Sequence, residues 1–256
     1  MIRKILVLSV LAMALAAPSA YAQTTPAGTD KPAANAVDPA SIQALKDMGA
    51  YLLTLKRFGV STEVTGELVL ADGQKLQHTA TADLDVVRPN KVRVLMKSAR
   101  NERELYYDGK TLSLNTPAQK VYGTLELDGT LGDVIDRLEG QYGMQIPLDD
   151  LFRFGTPAAQ FDRIESAMNA GQDFVDDDLC DHYAFRSGKI DWQIWIMTGS
   201  KPLPRKIVIT NRADEARPQS VHLLDWNLKP TFKDTVFKFT PPKGASKIEI
   251  VPVKIK

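Results

Sequence analysis

The sequence predicts an α+β fold: a curved antiparallel sheet forming an incomplete β-barrel, covered by an N-terminal helix and by a helical lid inserted in its middle. Three observations predict it. Val60 to Leu127 and Gln172 to Phe239 alternate apolar and polar residues with a period of two, the mark of strands with one buried face. The turns are as short as Ala71-Asp72-Gly73 and Asp108-Gly109, which makes neighbouring strands antiparallel. Between the two series, residues 130–171 switch to a spacing of three and four. A sheet with one strongly apolar face must curl around something or be covered, and the helices are the available cover. A curled sheet under a helical lid encloses a cavity suited to an apolar ligand.

The elements follow in order. Arg3 and Lys4 precede an apolar run from Ile5 to Ala17, and Ala20-Tyr21-Ala22 is a small-residue cleavage pattern, so residues 1–22 read as a signal peptide cut after Ala22. The run is shorter than the roughly 20 apolar residues of a bilayer span. No later stretch is long and apolar enough to cross, so the expectation is a soluble periplasmic chain with no transmembrane span after cleavage. Residues 23–37, rich in Thr, Ala, Pro and Gly, read as a flexible leader, and residues 38–256 as a single incomplete-barrel domain. Asp38-Pro39 opens a helix with the apolar stripe Ile42, Leu45, Gly49, Leu52 and Leu55, ending near Phe58-Gly59.

Strands are expected over Val60–Leu70, Gln74–Val87, Val92–Lys97, Glu104–Tyr107, Thr111–Asn115 and Lys120–Leu127. Leu131, Val134, Ile135, Leu138 and Tyr142 then share a helical face, with Thr130 and Asp133 spaced as a capping box. Pro147–Phe154 forms a short second helix. Thr156-Pro157 opens a third, carrying Phe161, Ile164 and Met168 and closed by Gly171. The later strands are Gln172–Val175, Asp181–Arg186, Lys189–Met197, Arg205–Thr210, Ser220–Leu228 and Thr235–Phe239.

Composition narrows the function. Loss of Arg3 and Lys4 with the signal lowers the formal charge of +1 by two, to −1, which gives no electrostatic reason to expect nucleic acid. The only cysteine, Cys180, has no intramolecular partner, so an exported chain of this kind holds together by packing. Arg88 stands out. In Ala82–Arg88 a period of two places Ala82, Leu84, Val86 and Arg88 on one face, opposite Asp83 and Asp85. A charge facing an apolar surface must find acceptors there, because an unpaired charge in a dry site is very costly. The carbonyl ends of the helical insertion are the candidate acceptors.

Arg88-Pro89-Asn90, Tyr107-Asp108-Gly109-Lys110-Thr111-Leu112 and Asn115-Thr116-Pro117 resemble the N-terminal half of the periplasmic LolA/LolB-like lipoprotein carriers. The tail from Asp234 to Ala245 resembles that superfamily's ending. Asp191-Trp192-Gln193-Ile194-Trp195-Ile196 with Pro202-Leu203-Pro204-Arg205-Lys206 resembles more closely a family of predicted periplasmic proteins of unknown function (DUF2092-like), placed in the same superfamily. The resemblance implies an incomplete barrel closed by helices over an apolar cavity for acyl chains. It also implies that Arg88 hydrogen-bonds lid backbone and holds the closed state. The longer leader, Trp192 and Trp195 depart from the carrier pattern.

Sharper chemistry finds little support. His78, His182 and His222 fall on different strands, and no G-x-S-x-G occurs to position a nucleophile, so no catalytic residue is assigned. Asp176-Asp177-Asp178 with Cys180, Asp181 and His182 matches no calcium loop or zinc spacing and reads as a solvated turn; neither a metal nor any cofactor is expected. Trp192 and Trp195 read as core, whereas Trp226 shares a face with Leu224 and Leu228. The ligand-binding or lid-latching set is therefore Arg88, Leu84, Val86, Trp226, Leu224 and Leu228. The lid contributes Val134, Ile135, Leu138, Phe161 and Ile164. The expected function is a non-enzymatic carrier or sensor of a hydrophobic, lipid-like ligand or lipoprotein acyl chain. The alternative is a structural or interaction protein of the cell envelope with a self-filled core and an envelope protein partner.

Overall fold

The computed structural model describes residues 36–253; the signal segment and most of the leader lie outside the described residues. Helix α1 (Pro39–Thr54) starts as its cap dictates, with Asp38 accepting from the backbone N–H groups of Ala40 (3.0 Å) and Ser41 (3.1 Å). It stops at Thr54 rather than near Gly59. Arg57 and Phe58 are claimed instead by strand pairing, opposite Val87 and Val86. The expected helix end was one turn too late because Leu55 and Phe58 continue the apolar spacing into the first strand.

The strands are β1 (Arg57–Val69), β2 (Lys75–Val87), β3 (Lys91–Ser98), β4 (Glu102–Tyr107), β5 (Thr111–Thr116) and β6 (Val121–Glu126) before the helical insertion. After it come β7 (Ser166–Val175), β8 (Asp178–Ser187), β9 (Ile190–Met197), β10 (Pro204–Asn211), β11 (Gln219–Asn227) and the two-residue β12 (Ser246–Lys247). They form one twelve-stranded sheet in the order β12-β6-β5-β4-β3-β2-β1-β11-β10-β9-β8-β7. Every pair is antiparallel except β12 with β6. The sheet does not close, and β7 and β12 are its edges.

Register aligns the apolar positions into rows. Leu125, Leu112, Tyr107, Val92, Val86 and Phe58 face each other across six consecutive strands. Leu114, Leu105, Val94, Leu84, Val60 and Trp226 form the next row. Helix α2 (Leu131–Tyr142) lays Leu131, Val134, Ile135 and Leu138 into the same core, and α1 contributes Leu45, Met48 and Leu52. Both halves of the Thr130–Asp133 capping box form, as the spacing predicts. Where α2 meets β3–β5 the interior is filled: Val92, Leu105, Leu112, Val134, Ile135 and Phe152 surround a void of only about 10 Å³.

Two further expectations are corrected. The second helix forms as one turn, α3 (Asp150–Arg153), but the third does not exist. Phe161–Arg163 is a single 3-10 turn, and Met168 and Gly171 lie inside β7, whose register with β8 runs from Ser166 to Val175. The segment 235–239 is likewise no strand. Asp234–Phe237 is a 3-10 turn that buries Phe237 edge-on against Phe232, ring centroids 5.6 Å apart. Its alternation reflects one buried side chain in a turn fixed by salt bridges from Arg57 and Lys91 to Asp234. On the opposite face of the sheet, Val175, Cys180, Trp195 and Val208 form a small second core, so β9 is covered on both sides.

Candidate functional site: an apolar cleft over β9 and β10

The apolar face continues past Trp226 to the far half of the sheet, where α2 no longer covers it. Ile194 pairs with Ile207, and Trp192 with Ile209, making a greasy floor. The segment 150–164, from α3 to the 3-10 turn, forms the roof with Phe154, Phe161 and Ile164, and Phe154 stacks on Phe161. Floor and roof enclose a cleft of about 490 Å³. That lies within the range of about 300–1,000 Å³ usual for small-molecule sites. Polar groups stand at its margin: Asp150, Arg153, Gln160 and Arg163.

Two features hold the roof in place. Gly155, at φ +80°, passes so close to α1 that a Cβ on Gly49 would lie 2.4 Å from the Gly155 nitrogen. Two glycines are thus required for the backbones to meet. Arg153 is the second feature. It pairs with Glu139 and, at 3.1 Å, with Asp136 of α2, and lies 3.8 Å from Asp149. Burial, reinforced by the neighbouring Glu139 carboxylate, pushes the Asp149 carboxyl up to about 7. A hydrogen bond from the Asp149 carboxyl, with help from Arg153, holds Glu139 below the ordinary carboxylate range. Asp150 is also raised, chiefly by burial.

A second cavity, of about 660 Å³, lies on the other side of the roof segment, bounded by Lys56, Arg88, Leu131, Asp133, Phe152 and Thr156. Arg153 and Ala158 line both cavities.

The sequence-predicted residues divide among these features. Leu84, Val86 and Leu224 are buried core, as are Val134, Ile135 and Leu138 on the inner face of α2. Trp226 and Leu228 are half-buried against that core, and the Trp226 indole N–H donates to the Pro204 carbonyl at 2.7 Å. Phe161 and Ile164 line the cleft. Arg88 does face the apolar side, but among the described residues its expected hydrogen bonds to lid carbonyls are not made. Its guanidinium carbon sits 5.6 Å from the Phe152 ring and 5.9 Å from the Phe58 ring. The carbonyl link to the lid belongs to the next residue: Pro89 accepts from the Leu131 N–H at 2.9 Å. Aromatic faces rather than acceptors surround the arginine because the insertion turns the start of α2 toward it, and a helix N-terminus presents N–H donors, its free carbonyls lying at the far end.

The floor residues Ile190, Trp192, Ile194, Ile207 and Ile209 were missed as site residues. Their period-two stripe was legible, and Trp192 was read as core, but nothing in a strand pattern says which stretch of an apolar face a helix leaves uncovered. The histidines are apart in role. His182 stacks on Trp195 at 3.9 Å and reaches Gln193 at 2.9 Å, while burial lowers the His222 pKa. The acidic run at Asp176 is a hairpin turn between β7 and β8, two of whose carboxylates, with Asp225, hold Arg205. No metal-binding cluster of three or more His, Cys, Asp or Glu occurs among the described residues.

Fold and cleft together define an open-sheet α+β protein with a helix-roofed apolar recess. The chain belongs to the family described as predicted periplasmic protein (DUF2092), whose model matches residues 41–251. Solved structures similar to it include lipoprotein LppX of Mycobacterium tuberculosis, 13% identical at a TM-score of 0.48, with 76% of this chain and 98% of that one covered. LprF from Mycobacterium bovis is 15% identical at 0.46, covering 82% and 99%. A LolA superfamily protein from Nitrosomonas europaea is 12% identical at 0.39, covering 78% and 97%. Comparison with curated proteins finds no match. No helix among the described residues is long and apolar enough to cross a membrane.

Proposed function

We propose that this protein is a periplasmic, non-enzymatic carrier or sensor that binds a hydrophobic, lipid-like ligand, such as a lipid or a lipoprotein acyl chain, over β9 and β10. The observation that carries this reading is the cleft itself: a floor of Trp192, Ile194, Ile207 and Ile209 beneath a separate roof of Phe154, Phe161 and Ile164. The family's description as periplasmic and the export signal read in the sequence support the location. In this reading Phe161 and Ile164 contact the chain, whereas Val134, Ile135 and Leu138 anchor the insertion, and Leu84, Val86, Leu224, Trp226 and Leu228 support the sheet behind it. A ligand opens the roof only by binding the open state better than the closed one.

The filled interior beneath α2 favours a second reading, an envelope interaction protein whose core is its own side chains. Native mass spectrometry of protein recovered from its own periplasm, followed by solvent extraction, separates the two. The carrier reading predicts an extractable lipid adduct, and uptake of a fluorescent fatty acid after delipidation. A bare mass together with no uptake contradicts it.

A further inference from the structure

Arg88 is explained by neither the core nor the cleft. Its backbone is pinned on both sides: its own N–H donates to the Lys56 carbonyl at 2.9 Å, and Pro89 accepts from Leu131. The side chain is thereby delivered to the start of α2. There its Nε is buried without a hydrogen-bond partner, and among the described residues the guanidinium forms no ion pair. Arg57, Arg93, Arg153, Arg186 and Arg205 each pair with a carboxylate. The Phe58 and Phe152 rings shield it from water, and burial lowers its pKa. Cation–π contact is a weak substitute for hydrogen bonds, and a guanidinium carries five donors to satisfy. A half-buried guanidinium with its Nε unpaired would gain from an acceptor supplied from outside the chain.

The 660 Å³ cavity supplies the space. Lys56 stands on one side and the first turn of α2, with its partial positive charge, on another. The two carboxylates lining it are already engaged: Asp133 accepts from the Thr130 N–H and Oγ1 at 2.8 Å each, and Asp136 pairs with Arg153 at 3.1 Å. Arg153 and Ala158 line both this cavity and the apolar cleft, so the two are neighbours across the roof segment. We infer that the ligand is an anionic amphiphile, its chain in the β9–β10 cleft and its oxyanion head, a carboxylate or phosphate, on Arg88. This inference rests on the proposed binding of a lipid-like chain in the cleft. Arginine suits an oxyanion because its donors form a planar fork that matches two oxygens.

Calorimetric titration of the delipidated full chain with lauric acid, dodecyl phosphate, dodecanol and inorganic phosphate, all below micellar concentrations, tests it. The acid and the phosphate ester should bind about tenfold or more tightly than the alcohol, the worth of one charge-assisted hydrogen bond. Arg88→Gln should erase that preference, weakening the acid and the phosphate ester more than dodecanol, and Arg88→Lys should keep part of it. If Arg88→Gln fails to fold, the head-group series on the wild type and Arg88→Lys decides. Equal affinity for acid and alcohol in the wild type, or an undiminished preference in Arg88→Gln, overturns the inference and leaves the cleft reading standing. Binding of none of the three amphiphiles overturns both readings. Arg88-dependent binding of inorganic phosphate without any amphiphile makes this a free-anion site and also overturns the inference.

Discussion

Replacing Asp149 by Asn should remove a pH dependence from the roof of the cleft. Asp149 is pushed up to about 7 from its ordinary 3.8, first by burial and then by Glu139. The folded state therefore keeps a proton that the unfolded chain releases above about pH 4. Its contribution to stability is full below the unfolded value and is lost as pH rises through about 7. At about 1.4 kcal/mol per unit, the upper bound is roughly 4 kcal/mol. Glu139 works the other way, since its depressed carboxyl contributes stability above its unfolded value and loses it on acidification. Glu139 is already ionised across pH 5 to 8, so the loss there comes from Asp149, about 3 kcal/mol at most for the two units between 5 and 7. Hydrogen exchange of amides 134–154, corrected for intrinsic rates, measures it: protection should fall from pH 5 to 8 in the wild type and fall less in Asp149→Asn, where the raised Asp150 remains. The same fall in both proteins refutes the assignment of the proton to Asp149.

Other perturbations separate the filled half from the open half. Gly49→Ala should push the roof off α1, because its Cβ would lie 2.4 Å from the Gly155 nitrogen; faster exchange at residues 150–158 with β2–β4 unchanged is the expected pattern. Leu138→Ala, in the fully buried stripe of α2, should cost about 2–5 kcal/mol in urea unfolding, the usual range for a leucine removed from a packed core. Cys180 is buried and burial pushes its thiol up to about 11, so a thiol reagent should label it only in denaturant.

Strand order and register were legible where alternation met a short turn: the Ala82–Val86 stripe and the Thr130–Asp133 capping box appear as their spacing predicts. Phe161, Ile164 and Met168 misled because a spacing of three and four fits a helix equally well as a turn running into a strand. The backbone decided otherwise. Ala167 of β7 donates to the Ala36 carbonyl and accepts from the Asp38 N–H, both at 3.0 Å, and pairing with β8 fixes the rest. Arg88 was placed on the correct face by periodicity alone. Its surroundings depended on which groups of α2 and α3 reach it, and that is a tertiary fact. The cleft was illegible for a similar reason: Trp192 and Ile207 carry the same alternating signal as the buried rows, and only the extent of α2 determines which rows are left uncovered.

The central claim, that a lipid-like chain seats over β9 and β10, is tested most directly by tryptophan quenching with a bromine-substituted fatty acid. Two single-tryptophan proteins suffice, one retaining Trp192 in the cleft floor and the other retaining Trp226 on β11, with the remaining tryptophans changed to Phe. The account predicts saturable quenching of Trp192 and little of Trp226. Quenching of Trp226 with Trp192 untouched, or of neither, contradicts it.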